Sequence, residues 1–372
     1  MRDTACRLEQ FPEYVHARFG KEVADIERAS GRKVLNFGIG SPDIPPSEKY
    51  LAKLEEFIRD KDAHLYPGYG GTPELKAAIC TWYKKRFGVE LSEDEVLVLL
   101  GAKDGIAHLP FALADSGDEV LVPDPGYPGF ATPVLLAGAK PVPYDSLDEL
   151  KQKITDKTAF IWVNFPSNPT GAVATLDELT KLVELAKKYN VPIAYDNAYS
   201  EITFDGYVAP SILQVPGAKD VAVELGSFSK TFSFAGYRMG WLVGNKSIVA
   251  ALAKVKTQMD SGMSLPLQRL GAYALENQDM DWNKKMLATY QKRRDIIAEK
   301  LRILGLTFDI PKGSLYLWAK IPDSAKDSES YCMALLKEKQ VLFTPGGAFG
   351  TNGERYVRVS ICVDVSDINS YL

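Results

Sequence analysis

Proton chemistry in this 372-residue chain falls to lysine or aspartate, because histidine is almost absent from it. His16, His64 and His108 are the only ones, too dispersed to suggest a metal cluster or a histidine-dependent nucleophile–base pair. The candidates emerge at the ends of β-rich runs, since function in a parallel α/β sheet gathers just beyond the strand carboxyl ends. Five apolar runs, at 96–100, 119–122, 159–163, 191–195 and 221–225, read as strands buried on both faces. After the first comes Gly101-Ala102-Lys103, opening a helix whose free N–H groups and dipole suit a phosphate. After the second comes Asp124-Pro125-Gly126-Tyr127-Pro128, a proline-rigid turn displaying an aromatic ring. The third is followed by Asn164 and by Asn168-Pro169-Thr170-Gly171, the fourth by Asp196 and Tyr199. The fifth leads into Ser227-Phe228-Ser229-Lys230, with Arg238 shortly beyond. Singly these are ordinary features. A lone lysine is usually solvated, Asn-Pro-Thr-Gly sets a turn, and an aspartate often caps the segment after it. Gathered at one edge of one sheet, they form a constellation.

The elements that must hold them are legible in outline. Thr175 and Glu178 form a capping box, followed by an apolar face of Leu176, Leu179, Leu182, Val183 and Ala186, and Asn190-Val191-Pro192 closes that helix. Thr72-Pro73-Glu74 places an N-cap and an N1 proline before a helix at 75–86. After about residue 265 the pattern changes. A long helix at 281–304 leads to runs at 306–310 and 314–319 that read as a hairpin around Pro311-Lys312-Gly313, then to a helix and a strand at 356–362. The reading is an α/β chain with a large domain at 45–264, built on a mostly parallel sheet flanked by helices, and a smaller α+β domain of 1–44 with 265–372. The turn-rich GIGSPDIPP at 38–46 crosses between them.

Composition excludes several classes. Hydrophobic residues make up 46% and charged residues 25%, and the net charge of −4 offers no basic surface for nucleic acid or anionic membrane. No apolar run approaches a membrane span, and MRDTACRLEQFPEY lacks a signal-peptide core, so a cytoplasmic protein is expected. Cys6, Cys80, Cys332 and Cys362 form no CxxC pair, which argues against a zinc site or a disulfide framework. GYGG at 68–71 lacks the GxGxxG spacing of a dinucleotide site.

SFSKTFSFAGYRMG at 227–240 resembles the cofactor-attachment signature of the class I/II aminotransferases, which carry pyridoxal phosphate on fold type I. GIGSPD, NPTG, the Asp-x-x-Tyr of Asp196 and Tyr199, and Arg358-Val359-Ser360 follow in that family's order, so the resemblance covers nearly the whole chain. YDNAYSEITFDGY, LVPDPGYPGF and GAKDGIAHLP look closest to the LL-diaminopimelate aminotransferase branch and its broad-specificity aspartate and alanine relatives. The resemblance implies a Schiff base between Lys230 and the cofactor, and proton shuttling by the freed amine. It implies that Asp196 partners the pyridine nitrogen, that Tyr199 and Asn168 bond the phenolic oxygen, and that Tyr127 stacks on the ring. Ala102, Lys103, Ser227, Ser229 and Arg238 would take the phosphate, joined by Tyr66 from the neighbouring subunit of a homodimer with shared active sites. Arg358 and Gly40 would receive the substrate α-carboxylate. The implied reaction is ping-pong transfer of an amino group from an L-amino acid to a 2-oxo acid, with no metal. A carbon–sulfur β-lyase is the alternative on the same fold, and a non-catalytic module of the kind attached to transcription regulators is a remoter one. The chain closes on Ser370-Tyr371-Leu372, before the fuller terminal helix of most members, which would loosen the smaller domain.

Overall fold

The computed structural model describes residues 5–11 and 15–372; residues 1–4 and 12–14 of the N-terminal stretch lie outside these. A seven-stranded sheet runs, in spatial order, Val96–Leu99, Gly240–Gly244, Ala222–Ser227, Ile193–Asp196, Thr158–Asn164, Glu119–Pro123 and Lys140–Tyr144. Only Gly240–Gly244 is antiparallel to its neighbours. Reversed between two strands of like direction, it leaves Val96–Leu99 running with the rest, so the carboxyl ends of all the expected strands reach one edge. Phe160, Ile161, Trp162, Ile193, Val223 and Leu225 are wholly buried, as strands covered by helices on both faces require.

Two strands exceed the sequence reading. Lys140–Tyr144 carries Pro141 and Pro143 and lies at the sheet edge, where the missing N–H groups cost least. Gly240–Gly244 follows directly on the attachment-like motif. Helix starts obey the expected local chemistry. The Glu178 amide donates to Thr175 Oγ1 at 3.2 Å, and the Thr175 amide donates back to the Glu178 carboxylate at 2.7 Å. The helix Leu176–Tyr189 buries Leu179, Leu182, Val183 and Ala186 and closes on Asn190 at φ 52, but Leu176 itself is 41% exposed and leaves the apolar face.

The smaller unit holds a three-stranded antiparallel sheet, ordered Thr344–Pro345, Tyr356–Ser360, Tyr316–Lys320, with the helices Met280–Ile303 and Ser328–Lys339. Leu35–Asn36 pairs in parallel with Val341–Leu342 and so ties the N-terminal crossing to it. The hairpin expected at 306–310 and 314–319 does not form: Thr307 bridges Lys320 alone, and the chain then leaves the sheet. Pro311 has no N–H to donate, and Ser314 at φ 73 turns its amide to Ile202 O, 2.9 Å away and outside the sheet. The helix Leu265–Glu276, placed with the smaller domain by the sequence reading, buries Leu270, Ala274 and Leu275 in the larger core, against Glu48–Ile58 and Pro73–Phe87. At the C-terminus, Tyr371 donates to Lys33 O at 2.8 Å and stacks on Arg32, so these last residues are tied down rather than loose.

Candidate active site

Asp196 closes its strand beside Leu225, and the next strand continues to Ser227 before the short helix Phe228–Thr231 presents Lys230. Lys230 Nζ donates to Gly40 O at 2.8 Å and stands 5.6 Å from the Tyr199 ring centre. Tyr316 shares that acceptor, donating to Gly40 O at 3.3 Å, and its hydroxyl lies 3.2 Å from that of Tyr199. Gly40 must be glycine here, because a Cβ would overlap the Tyr316 hydroxyl. Its loop is pinned to the smaller unit by Arg293 on Asp43 at 2.8 Å and by Trp282 Nε1 on Pro45 O at 3.1 Å.

The Asp196 carboxyl is 5% exposed and receives the Ala198 amide at 3.2 Å. Burial lifts it to about 6, against the pull of that amide and of the Lys230 charge. Such a carboxylate lacks a cation. A raised acid costs the folded state nothing below its unfolded value near 4 and costs the full amount above about 6, so the penalty grows with pH. Asp196→Asn therefore raises the stability of the cofactor-free protein by about 3 kcal/mol at pH 8 and by less than ~1 kcal/mol at pH 4. Denaturant midpoints of both proteins across that range check this; a pH-independent difference would contradict it.

A second cluster gathers around Gly101. This residue, at φ 81, caps the helix Ala102–Leu113 without a side-chain bond, leaving the first amides of the helix available. Ser227 and Ser229 are buried beside one another, and the Ser229 amide donates to Ser227 Oγ at 3.2 Å. Arg238 holds φ 55, a sparsely populated conformation for a side-chain-bearing residue, and lies over Gly101 so closely that a Cβ there would stand 2.5 Å from Nη2. Helix amides, two hydroxyls and a guanidinium make an anion cradle. Lys103 points its side chain to solvent, so its contribution is its backbone.

Arg358, on Tyr356–Ser360, is buried and braced on two sides: its guanidinium lies 4.3 Å from the Tyr316 ring centre and 4.7 Å from that of Phe349. Nη1 donates to Asn168 Oδ1 at 2.9 Å and Nη2 to Gly38 O at 2.7 Å, whereas Nε is buried without a partner. A buried unpartnered guanidinium N–H is costly and marks a place for an anion. Asn168 is itself set by its amide on Asn164 Oδ1 at 2.8 Å. Tyr127 packs edge-on to Phe130, and its turn is clamped across the cleft: Asp124 accepts from Thr351 Oγ1 at 2.8 Å and from the Asn352 amide at 3.1 Å, and the Gly126 amide donates to Phe349 O at 2.8 Å.

The structure thus joins Lys230, Tyr199 and Gly40 through shared bonds, joins Arg358 to Asn168, and sets Arg238 on the Gly101 turn. Tyr66 is not buried with them; it stands 88% exposed. Sequence reasoning missed Tyr316, Phe349 and Asp124. Nothing local shows that Tyr316 meets Tyr199 or Gly40, 117 and 276 residues away. The donor set fits the pyridoxal phosphate that the resemblance implies. It offers an anion cradle, a buried carboxyl for a ring cation and an amine for an aldehyde, with an unpartnered guanidinium N–H for a substrate carboxylate. Among the described residues no helix is long and apolar enough to cross a membrane, and Cys80, Cys332 and Cys362 are free thiols.

Comparison with known proteins agrees with this geometry. The family described as "Aminotransferase class I and II" matches residues 32–371. The LL-diaminopimelate aminotransferase of Halothermothrix orenii is 40% identical over 380 residues, covering 100% of this chain and 97% of that protein. Its counterpart from Dehalococcoides mccartyi is 41% identical over 368 residues, covering 96% and 94%. Among solved structures, substrate-bound BacF from Bacillus subtilis superposes with a TM-score of 0.92 at 32% identity, covering 100% of this chain and 96% of that one. The aspartate aminotransferase from Rhizobium meliloti gives 0.92 at 27% identity, covering 100% and 97%.

Proposed function

We propose LL-diaminopimelate as the amino donor, and pyridoxal phosphate as the cofactor, of a chain that belongs to the class I and II aminotransferases and shares their fold type I architecture. The observation that carries the donor is the full-length identity of about 40% to LL-diaminopimelate aminotransferases, together with an intact Lys230, Asp196 and Arg358. A 2-oxo acid is the acceptor.

When bound, the cofactor supplies an aldehyde that takes up amines and a ring that withdraws electrons. The chain holds it at three points. The Ala102 and Lys103 amides, Ser227, Ser229 and Arg238 neutralise its phosphate. Asp196 takes the ring cation, and this removes the burial penalty that otherwise lifts its carboxyl. Tyr199 and Asn168 donate to the phenolic oxygen, and Tyr127 covers a ring face. Arg358 binds the substrate α-carboxylate through its fork, stiffened by Tyr316 and Phe349, while Gly40 lets the backbone approach. Lys230, released from Gly40 O, would be the base that takes the proton from the substrate Cα and holds it for return. The clamp from Asp124 to the 349–352 loop holds that loop against the turn that bears Tyr127.

The division into domains belongs to this proposal: the larger is the body that carries the sheet and the smaller, with the crossing at 38–46, the body that closes on substrate. So does a homodimer in which Tyr66 reaches the neighbouring cradle. Supporting it are the exposures of Tyr66, at 88%, and of Leu65 and Tyr69 beside it in sequence, each half or more exposed. A cytoplasmic setting is part of the same reading.

With 2-oxoglutarate as acceptor, LL-diaminopimelate is expected to give a kcat/KM about tenfold or more above aspartate, alanine, glutamate and aromatic donors, a difference of at least ~1.4 kcal/mol in transition-state binding. A different leading donor would overturn the substrate and leave the reaction class standing. Pyruvate and ammonia released from cystathionine without an acceptor would instead favour the β-lyase alternative.

A further inference from the structure

Beneath the anion cradle lies an ion cluster to which the proposed reaction gives no role. Lys256, on the helix Lys246–Met259, is 1% exposed, and its Nζ lies 2.7 Å from Asp104 Oδ2 and 2.7 Å from Asp260 Oδ2. Asp104 stands in the first turn of the cradle helix, and the same Oδ2 accepts the Leu100 amide at 2.9 Å, gripping the residue just before Gly101. His108 Nδ1 lies 2.7 Å from the other oxygen. Burial opposes the charge, yet His108, Lys256 and the Leu100 amide together hold the Asp104 carboxyl at about 2.

A buried cation held between two carboxylates is an expensive way to join two helices, and apolar side chains of similar volume usually do so at no loss of stability. An apolar trio cannot accept a backbone N–H, however. The Asp104 carboxylate does, and it fixes the turn that aims the Ala102 and Lys103 amides. The other arm reaches further. Asp260 Oδ1 accepts the Gly262 amide at 2.7 Å, and Gly262, at φ 92, packs so tightly that a Cβ would stand 2.7 Å from Gly68 O. Gly68 follows Tyr66 by two residues. One buried cation therefore ties the cradle turn to the segment bearing the exposed tyrosine.

We infer that Lys256, acting through Asp104 and Asp260, is a positioning residue that sets the geometry of the phosphate cradle. The inference rests on the cofactor reading above. It predicts a defect confined to the phosphate end of the ligand, which a merely structural residue would not produce.

The test compares the affinities of the cofactor-free, full-length protein for pyridoxal phosphate and for pyridoxal, which lacks the phosphate. Wild type is expected to prefer the phosphate form by about 100-fold or more. Lys256→Met should reduce that preference at least about tenfold while changing pyridoxal affinity less than about threefold, the signature of misplaced donors. The isosteric Asp104→Asn, which keeps an acceptor but removes the charge that Lys256 holds, should reduce it in the same sense if Lys256→Met does not fold. A preference retained in either folded variant, or an equal loss of both ligands, overturns the inference. Failure of both variants to fold does so too, by making the cluster a structural element. No preference in wild type would instead overturn the cofactor reading itself.

Discussion

Lys230→Ala is expected to lower amino-group transfer by about 10⁴-fold or more, the largest effect of any single substitution in this chain. On the proposed function the Lys230 amine is the base that works at the substrate Cα. Burial, with the Tyr316 hydroxyl beside it, opposes ionisation of Tyr199, and on the proposed function Asp196 faces the ring cation. The fold should survive, because Lys230 contributes one hydrogen bond to Gly40 O and Tyr316 still donates there. Cofactor should still bind, more loosely, through the cradle and Asp196. The check is the half-reaction with saturating donor, followed spectrally on the cofactor. A rate within about tenfold of wild type would remove Lys230 from the chemistry.

The second large effect belongs to Arg358. Replacing it by alanine should lower kcat/KM by about 10²- to 10³-fold, chiefly through KM, since two charge-assisted bonds to the substrate carboxylate are lost. Lysine should recover no more than about tenfold of that, for it keeps the charge but not the planar fork or the stacking between Tyr316 and Phe349. Removing Arg358 also strips Asn168 Oδ1 and Gly38 O of a donor, so some of the loss would be structural. An amine that lacks a carboxylate separates the two contributions. Its slow turnover should be nearly the same in wild type and variant if Arg358 recognises the carboxylate, and should fall in parallel if the variant merely loosens the site.

Much of this arrangement is readable in the chain, where local chemistry decides the outcome. The Thr175–Glu178 capping box and the Thr72 N-cap start their helices as expected because each satisfies amides within its own first turn. The strands at 159–163 and 191–195 are found because burial on both faces leaves continuous apolar runs, although their ends shift by a residue or two. What escaped the sequence is decided at long range. Lys140–Tyr144, with its two prolines, is a strand because the sheet edge tolerates them, and no local pattern announces an edge. The segment after Thr307 abandons its hairpin for contacts with Ile202 and Phe204, far earlier in the chain. At the site, the types of Lys230, Asp196 and Arg358 and their order point to chemistry. That Tyr316 threads Gly40, Tyr199 and Arg358 together, and that Asp124 clamps the 349–352 loop, depends on how the two bodies meet.

On the proposed function one amine, Lys230, carries the cofactor opposite a buried carboxyl, Asp196. Borohydride reduction of the cofactor-loaded enzyme, followed by digestion and peptide mass mapping, tests it most directly. The expected product is a pyridoxyl adduct on Lys230 and on no other lysine of the chain. An adduct elsewhere, or none at all, would contradict it.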